Sequence, residues 1–158
     1  RQYSQLSYTV AELPTDTTPS GPTAIAEYSG RVFYSGFPGD VIDGDTSSPK
    51  MSSYVLFSQL VTDATSIVAC YQSNDPTSKD QSYLVDTDGG FIRIEGAFNI
   101  KSLVNIGSAL VVLAENGVWT ISGGNNLGFT ATGYKVTKVT SSGCVSAGSV
   151  VVVENAVM

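Results

Sequence analysis

The chain has 158 residues, of which 42% are apolar, 14% charged and 9% aromatic, and its net charge is −6. This length is enough for one domain with a buried core, because about 70% of the unfolded surface can be buried at this size. Only eight Lys and Arg residues are scattered along the chain. This charge balance excludes a surface built to grip phosphates, which requires clustered basic residues.

The composition favours short strands joined by turns. The chain contains 16 Gly and 6 Pro together with many Ser and Thr, and helix interiors penalise Gly and Pro. We therefore predict an all-β fold. The charged fraction lies well below the roughly 25% typical of soluble domains, which is typical of a protein that works in an assembly.

The first predicted strand is Leu6–Val10, and a polar segment rich in Pro and Thr follows it at Pro14–Pro22. Residues 1–22 are thus predicted to form an N-terminal strand and a polar linker. The organised region, residues 23–158, contains aromatic and β-branched runs at Gly30–Phe37 and Tyr54–Gln59. A loop rich in Gly, Asp and Ser, Pro38–Lys50, separates these two predicted strands.

Further along the chain we predict a strand at Ile67–Tyr71 and a polar loop at Gln72–Gln81. The pair Ser82–Val85 and Phe91–Glu95 is predicted to form a hairpin, because the Asp-Gly and Gly-Gly steps between them supply the positive φ that such turns need. Alternation in Phe91–Glu95 predicts one solvent-exposed face.

The segment Ala109–Ser122, ALVVLAENGVWTIS, carries the strongest hairpin signal, because Asn116-Gly117 lies between two apolar runs. Alternation places Trp119 and Ile121 on one face, so Trp119 is predicted to anchor the core. Tyr134–Thr140 alternates between polar and apolar residues and is predicted to be an outer, partly exposed strand.

Two similar segments of the chain, which we call the Gly-Ser echo, indicate a repeat architecture. The first segment is Gly107-Ser108 with the apolar run after it. The second is Gly148-Ser149 with another apolar run, 148 − 107 = 41 residues later. One blade of a β-propeller has about this length. We therefore predict antiparallel blades of a β-propeller, about three within residues 23–158, with a β-sandwich or barrel as the alternative fold.

The residues available for catalysis are carboxylates, because the chain contains no His and so lacks the commonest general base and zinc ligand. A glycosidase would need two carboxylates facing one sugar-binding cleft. A carboxylate in a Gly-bearing turn ordinarily bonds its own backbone instead. Neither Gly89-Gly90 nor Gly123-Gly124 is followed by the Lys-Ser/Thr of a phosphate loop. We predict no catalytic, cofactor-binding or metal-binding residues; the carboxylates considered are Asp40, Asp43, Asp45, Asp86, Asp88, Glu95 and Glu115.

Asp40, Asp43 and Asp45 could also gather oxygens around Ca²⁺, but their spacing differs from that of an EF-hand loop. The isolated Cys70 and Cys144 are predicted to be buried free thiols, with a disulfide as the alternative. No apolar run approaches the length of a membrane span and no signal peptide is evident, so we expect no membrane insertion. The start at Arg1 and the stop at Met158 after a strand-like run suggest a fragment of a longer protein.

Several short motifs, taken in their order along the chain, resemble the tail nozzle proteins of short-tailed bacteriophages, called tail tubular protein B in some phages. The resemblance covers roughly Tyr28–Met158. It rests on these segments: GRVFYSG at 30–36, VLFSQ at 55–59, TDGG at 87–90, LVVLAENGVW at 110–119, ISGG at 121–124, FTAT at 129–132 and KVTSSG at 138–143.

The resemblance implies a structural virion protein that contains a β-propeller and forms a hexameric ring in the phage tail. This ring would contact the tail adaptor and other tail proteins and would line the channel through which DNA passes non-specifically. It implies no reaction and no cofactors. The alternative function is a tail module that binds a glycan or receptor on the host surface, and a carbohydrate-active enzyme is a third reading.

Overall fold

A computed structural model describes residues 21–37, 51–76, 81–124, 128–153 and 156–157. These residues form ten strands and three short 3-10 helices, the latter at Met51–Ser53, Ser66–Val68 and Ala147–Ser149. Within the described ranges no helix has the length and apolar character needed to cross a membrane. The predicted strand Leu6–Val10 and the predicted loop Pro38–Lys50 lie outside these ranges.

Sheet A is an antiparallel sheet of four strands that follow one another in chain order. The turn between its first strand, β1 (Ala24–Tyr28), and its second, β2 (Arg31–Ser35), has positive φ at Ser29 (52°) and Gly30 (71°), so the chain reverses within two residues. The fourth strand, β4 (Gly90–Arg93), pairs with the third, β3 (Tyr54–Phe57), and Val55 lies opposite Ile92. The strands of sheet A are β1 (Ala24–Tyr28), β2 (Arg31–Ser35), β3 (Tyr54–Phe57) and β4 (Gly90–Arg93).

Sheet B has the same design and order. Its strands are β5 (Ile100–Asn105), β6 (Leu110–Ala114), β7 (Gly117–Gly123) and β8 (Tyr134–Thr140). The β6–β7 hairpin places Ala114 opposite Gly117, so Glu115 and Asn116 form a two-residue turn. A further hairpin pairs β9 (Val152–Val153) with β10 (Ala156–Val157).

The main core lies between sheets A and B. Sheet A contributes Phe33, Val55 and Phe57 to it, and sheet B contributes Trp119 and Ile121. Each of these side chains alternates along its strand with residues of the opposite face, as the pleat requires. Strands β1 and β5, at one edge of each sheet, lie side by side. Tyr28 Oη donates to the Ser108 carbonyl at 3.0 Å, and Asn105 Nδ2 donates to the Glu27 carbonyl at 2.7 Å.

The opposite face of each sheet is also covered. On sheet A, Tyr34 and Leu56 pack with Phe37, Met51 and Cys70 in a second cluster. On sheet B, Val111 and Leu113 pack with Cys144 in a third cluster. All five residues of β6 are buried. The sequence of β6 is therefore a continuous apolar run, because apolar residues are needed on both of its faces.

The described part of the chain is mostly β, as the sequence predicts, and two stacked antiparallel sheets are compatible with the sandwich alternative. The predicted strands at Gly30–Phe37, Tyr54–Gln59 and Tyr134–Thr140 are confirmed as β2, β3 and β8. Strand β8 lies at the edge of sheet B, and six of its seven residues are exposed, as predicted for an outer strand.

The Ala109–Ser122 hairpin is also confirmed, and Trp119 lies in the core at 3% exposure. Its turn differs from the prediction by one residue. It consists of Glu115 and Asn116, while Gly117 is the first residue of β7. Asn116 Oδ1 accepts a hydrogen bond from the Phe98 amide and Nδ2 donates to the Gly96 carbonyl. The turn is therefore tied to the loop before β5.

Two predicted strands are wrong. In Ile67–Tyr71 the chain forms a 3-10 turn, in which the Ala69 amide donates to the Ser66 carbonyl. Ser82–Val85 does not pair with Phe91–Glu95, because β4 pairs with β3 instead. The segment before β4 is held in a turn by the Asp88 amide, which donates to the Val85 carbonyl at 2.9 Å. In both places a partner distant in sequence overrides the local pattern.

Strands β1 and β5, in contrast, are absent from the sequence prediction. Strand β1 contains two alanines and a glutamate, and β5 mixes Lys, Ser and Asn with three apolar residues. Neither has the aromatic and β-branched density that marks a strand. Both occupy edges of their sheets, where fewer apolar residues are needed.

Gly89 offers a test of how closely the segment around Cys70 approaches the start of β4. A Cβ at position 89 would lie 2.8 Å from the Tyr71 amide nitrogen and 2.9 Å from Cys70 Cα. We expect Gly89→Ala to lower the free energy of unfolding by about 1–3 kcal/mol, because backbone atoms must shift. Urea unfolding measures this loss. Gly21→Ala is the control, since a Cβ there meets nothing within 4 Å, and equal effects for both variants would contradict the close approach.

Candidate functional site

The most elaborate polar arrangement of the described residues is centred on Arg31, the first residue of β2, which is 1% exposed. Its Nη1 donates to the carbonyls of Ser58 at 2.6 Å and Asp88 at 2.5 Å. Its Nη2 donates to the carbonyl of Asp86. One guanidinium thus joins β2 to the end of β3 and to the segment before β4. We call this group of residues the Arg31 node.

Two aromatic rings enclose the guanidinium. Arg31 Cζ lies 5.7 Å from the centroid of Phe57 and 5.7 Å from that of Phe129, within the range of a cation–π interaction. Burial lowers the pKa of Arg31, and the negative charges of Asp88 and Asp86 oppose this shift. The side chain keeps its charge, because an arginine is not deprotonated in proteins at ordinary pH.

Asp88, 0% exposed, organises the same segment through its carboxylate. Its Oδ1 accepts a hydrogen bond from the Ser73 amide at 3.0 Å, and its Oδ2 accepts one from the Val85 amide at 3.0 Å. Both oxygens therefore accept hydrogen bonds from backbone amides of neighbouring loops, as predicted for a carboxylate in a turn. This arrangement leaves Asp88 unsuited to act on a substrate.

The other carboxylates considered from the sequence do not meet at one cleft in the described structure. Asp86 is exposed and accepts a hydrogen bond from Thr132 Oγ1. Glu95 is exposed beyond the end of β4. Glu115 accepts a hydrogen bond from Asn99 Nδ2 at 2.8 Å and lies 3.9 Å from Lys101 Nζ. The remaining three, Asp40, Asp43 and Asp45, lie outside the described residues.

No group of three or more Cys, Asp or Glu side chains in the described ranges could hold a metal ion. The glycine pairs do not form phosphate loops there, since Gly90 begins β4 and Gly123 ends β7. Cys70 and Cys144 are buried free thiols, as predicted, and they belong to different clusters on opposite sides of the molecule. Burial raises the pKa of the Cys70 thiol, so this thiol is unreactive.

Asp63 allows a prediction on pH. Its Oδ1 accepts hydrogen bonds from Thr65 Oγ1 at 2.6 Å and from the amides of Thr65 and Ser66. These bonds, that of the Thr65 hydroxyl foremost, lower the pKa of Asp63 to about 2. Its unfolded value is about 3.9, so its contribution to stability is present above pH ~4 and is lost as the pH falls towards 2.

NMR titration of the side-chain carboxyl carbon measures this pKa directly. Thr65→Val removes the hydroxyl donor, and we expect it to raise the pKa of Asp63. Thr120→Val is the control, because the Thr120 hydroxyl donates to the Thr137 carbonyl in sheet B and is not among the donors to Asp63. A pKa of Asp63 that stays near 2 in Thr65→Val would contradict the assigned cause.

Comparisons of this chain with protein-family models, with curated proteins and with solved structures find no match.

The Arg31 node was not predicted from the sequence. The signal for it was a basic residue inside the aromatic run GRVFYSG, where an arginine needs partners if its strand is buried. Its acceptors are three backbone carbonyls. Every residue has such a group, so the sequence does not indicate which carbonyls the guanidinium binds. The aromatic residues of the first strands lie in or against the core: Phe33, Tyr34, Phe37 and Phe57 are buried, and Tyr54 is half-buried.

Proposed function

We propose that this chain is part of a structural protein of a bacteriophage tail, a subunit of the ring-shaped nozzle through which DNA leaves the capsid. In this proposal sheets A and B are consecutive blades of a β-propeller, the protein forms a hexameric ring in the virion, and it has no catalytic activity. The resemblance of the ordered motifs between Tyr28 and Met158 gives the proposal its direction.

The observation that supports it most is the succession of two four-stranded meanders stacked face to face. Each sheet uses its strands in chain order, and the first strands, β1 and β5, lie next to each other. Blades of a propeller are four-stranded sheets arranged around an axis, so each blade is covered on both faces. The burial of all five residues of β6 fits a blade between two neighbours.

The charge distribution supports a conduit that does not retain DNA. Of the basic residues that the structure describes, Arg31 is buried, Lys101 lies near Glu115 and Lys138 lies 5.0 Å from the Trp119 ring. The other two, Arg93 and Lys135, are on different sheets. The part of the surface formed by the described residues thus lacks the clustered cations that would release counterions from DNA and hold the duplex in place.

Electron microscopy of the intact protein, alone and on particles, tests the proposal. We expect a closed six-fold ring around an open channel at the tail position. We also expect no retention of duplex DNA in a mobility-shift assay at about 150 mM salt, because few cations are available for phosphate contacts. A monomer that forms no ring and does not occur on particles would contradict the proposal.

A host-surface binding module is the second candidate, and the exposure of Tyr83 favours it. This ring is 76% exposed, and its backbone carbonyl accepts a hydrogen bond from Gln72 Nε2 at 2.9 Å. Exposed aromatic rings on fixed loops are suited to contacts with sugars or proteins. Tyr83→Ala should abolish adsorption to host cells if this function is correct, and should leave both adsorption and ring formation unchanged if the nozzle function is correct.

A further inference from the structure

The last residues of the chain repeat the β6–β7 hairpin at a spacing of 39 residues. VVLAENGVW at 111–119 aligns with VVVVENAVM at 150–158, and five of the nine positions are identical. The backbone follows the same repeat. Ala114 is opposite Gly117 in the first hairpin and Val153 is opposite Ala156 in the second, and adding 39 to the first pair gives the second. The Gly-Ser echo at 41 residues belongs to the same repeat, with two fewer residues between Gly-Ser and the hairpin in the second copy.

The segment before β9 packs on sheet B. The Cys144 amide donates to the Ala114 carbonyl at 2.8 Å. The Cys144 side chain and the partly buried Val150 join Val111 and Leu113 in the cluster on the face of sheet B that points away from sheet A. Sheet B is thus covered by sheet A on one face and by the beginning of the next repeat on the other.

The second hairpin lacks the neighbours that complete the first. Strands β6 and β7 lie between β5 and β8, whereas β9 and β10 form a sheet of two strands among the described residues. Val112 and Leu113 are 0% and 8% exposed, but their counterparts Val151 and Val152 are 54% and 51% exposed. Apolar side chains that the repeat buries in sheet B are therefore left uncovered at the second hairpin.

We propose that the β9–β10 hairpin is the centre of a third four-stranded sheet and that the edge of β10, unpaired among the described residues, binds an antiparallel strand. The partner is an extended segment of the β8 type, with alternating polar and β-branched residues as in Tyr134–Thr140. Strand β8 pairs with β7 from Tyr134 to Thr140, with Thr120 opposite Thr137 and a register shift that leaves Val139 without an opposite residue. The same pairing on β10 supplies backbone partners to its edge. This inference rests on the repeat and not on a role in a phage tail.

A duplicated segment tests the proposal in the full chain. Met158 aligns with Trp119, so a copy of residues 120–140 attached after Met158 continues the repeat in register. We expect hydrogen exchange of the amides of β10 (Ala156–Val157) to slow by at least about tenfold, because this strand gains a paired neighbour. The control extension carries Val136→Pro and Lys138→Pro in the copy, since proline cannot pair in the ladder. Equal exchange with both extensions would overturn the proposal.

A disulfide gives a second measurement that depends on register alone. Trp119 is opposite Lys138 in sheet B, so Met158→Cys should form a disulfide with Lys138→Cys in the copy. Paired positions in antiparallel strands are about 4.5–5.5 Å apart between Cα atoms, within reach of a disulfide. Val139→Cys in the copy is out of register and should not form this bond. Cross-linking with equal yield at both positions would show that the strand does not dock as proposed. Neither measurement depends on ring formation, so a failure of the nozzle proposal would leave both results unaffected.

Discussion

Arg31→Met is expected to lower the free energy of unfolding by about 3–5 kcal/mol, because it leaves the buried carboxylate of Asp88 without the cation that opposes its charge. Methionine fills a similar volume but donates no hydrogen bonds. The carbonyls of Ser58, Asp86 and Asp88, which now accept from the guanidinium, lose a donor. The cation–π contacts with Phe57 and Phe129 are lost as well. Because the three carbonyls belong to separate segments, the loss spreads beyond β2.

Urea unfolding of the purified chain measures this change as a shift of the transition midpoint. Arg93→Met is the matched control, since Arg93 is exposed on the edge strand β4 and should change stability by no more than about 0.5 kcal/mol. Arg31→Lys should recover only part of the loss, because an ammonium cannot reproduce the planar fork of the guanidinium. A loss in Arg31→Met no larger than in Arg93→Met would show that the Arg31 node does not hold sheet A together.

The Arg31 node illustrates what could be predicted from the sequence and what could not. Strands with a strong local signal were predicted with nearly correct limits, because alternation and a two-residue turn specify them without reference to distant residues. Val118, Trp119 and Ile121 in β7 are the clearest case. The acceptors of Arg31, in contrast, are backbone atoms brought together only by the pairing of β3 with β4.

The wrong predictions have the same physical cause. Ser82–Val85 contains the residue types of a strand, and a turn sequence follows it, yet β4 gains more by pairing with β3, where Val55 and Ile92 reach the main core. Asp88 then stabilises the unpaired segment through two backbone amides. Local propensity is a weak guide where a buried long-range partner competes with it.

Similarly, the number of sheets could not be counted from the 41-residue echo alone. Sheet A extends over a longer stretch of chain than sheet B, because the residues between β3 and β4 fold back on its outer face. Ile67 and Cys70 form part of that cover and belong to the same cluster as Phe91 of β4. A repeat whose units differ in their insertions has no constant period, and only the tight β6–β7 and β9–β10 hairpins retain one.

Phe129→Ala is expected to lower the free energy of unfolding by about 3–5 kcal/mol, the range for truncating a buried Phe. Phe129 lies in the connection between β7 and β8 and is 3% exposed. Its ring meets Phe33 at 5.0 Å and Phe57 at 5.1 Å, both with edge-to-face geometry, and stacks on Tyr134 at 5.3 Å. A side chain from sheet B thus packs among the aromatic residues of sheet A.

The consequence of this position is cooperativity between the two sheets, and the single tryptophan allows it to be measured. Trp119 lies in β7, so its fluorescence reports on sheet B, while far-UV circular dichroism reports on both sheets. The two transitions should coincide in the wild type, as expected for one cooperative unit. Phe98→Ala is the control, because Phe98 is 57% exposed. If Phe129→Ala lowers the free energy of unfolding no more than Phe98→Ala does, the packing of Phe129 does not stabilise the contact between sheets A and B. If it lowers stability and also separates the two transitions, the ring of Phe129 is what makes sheets A and B unfold together.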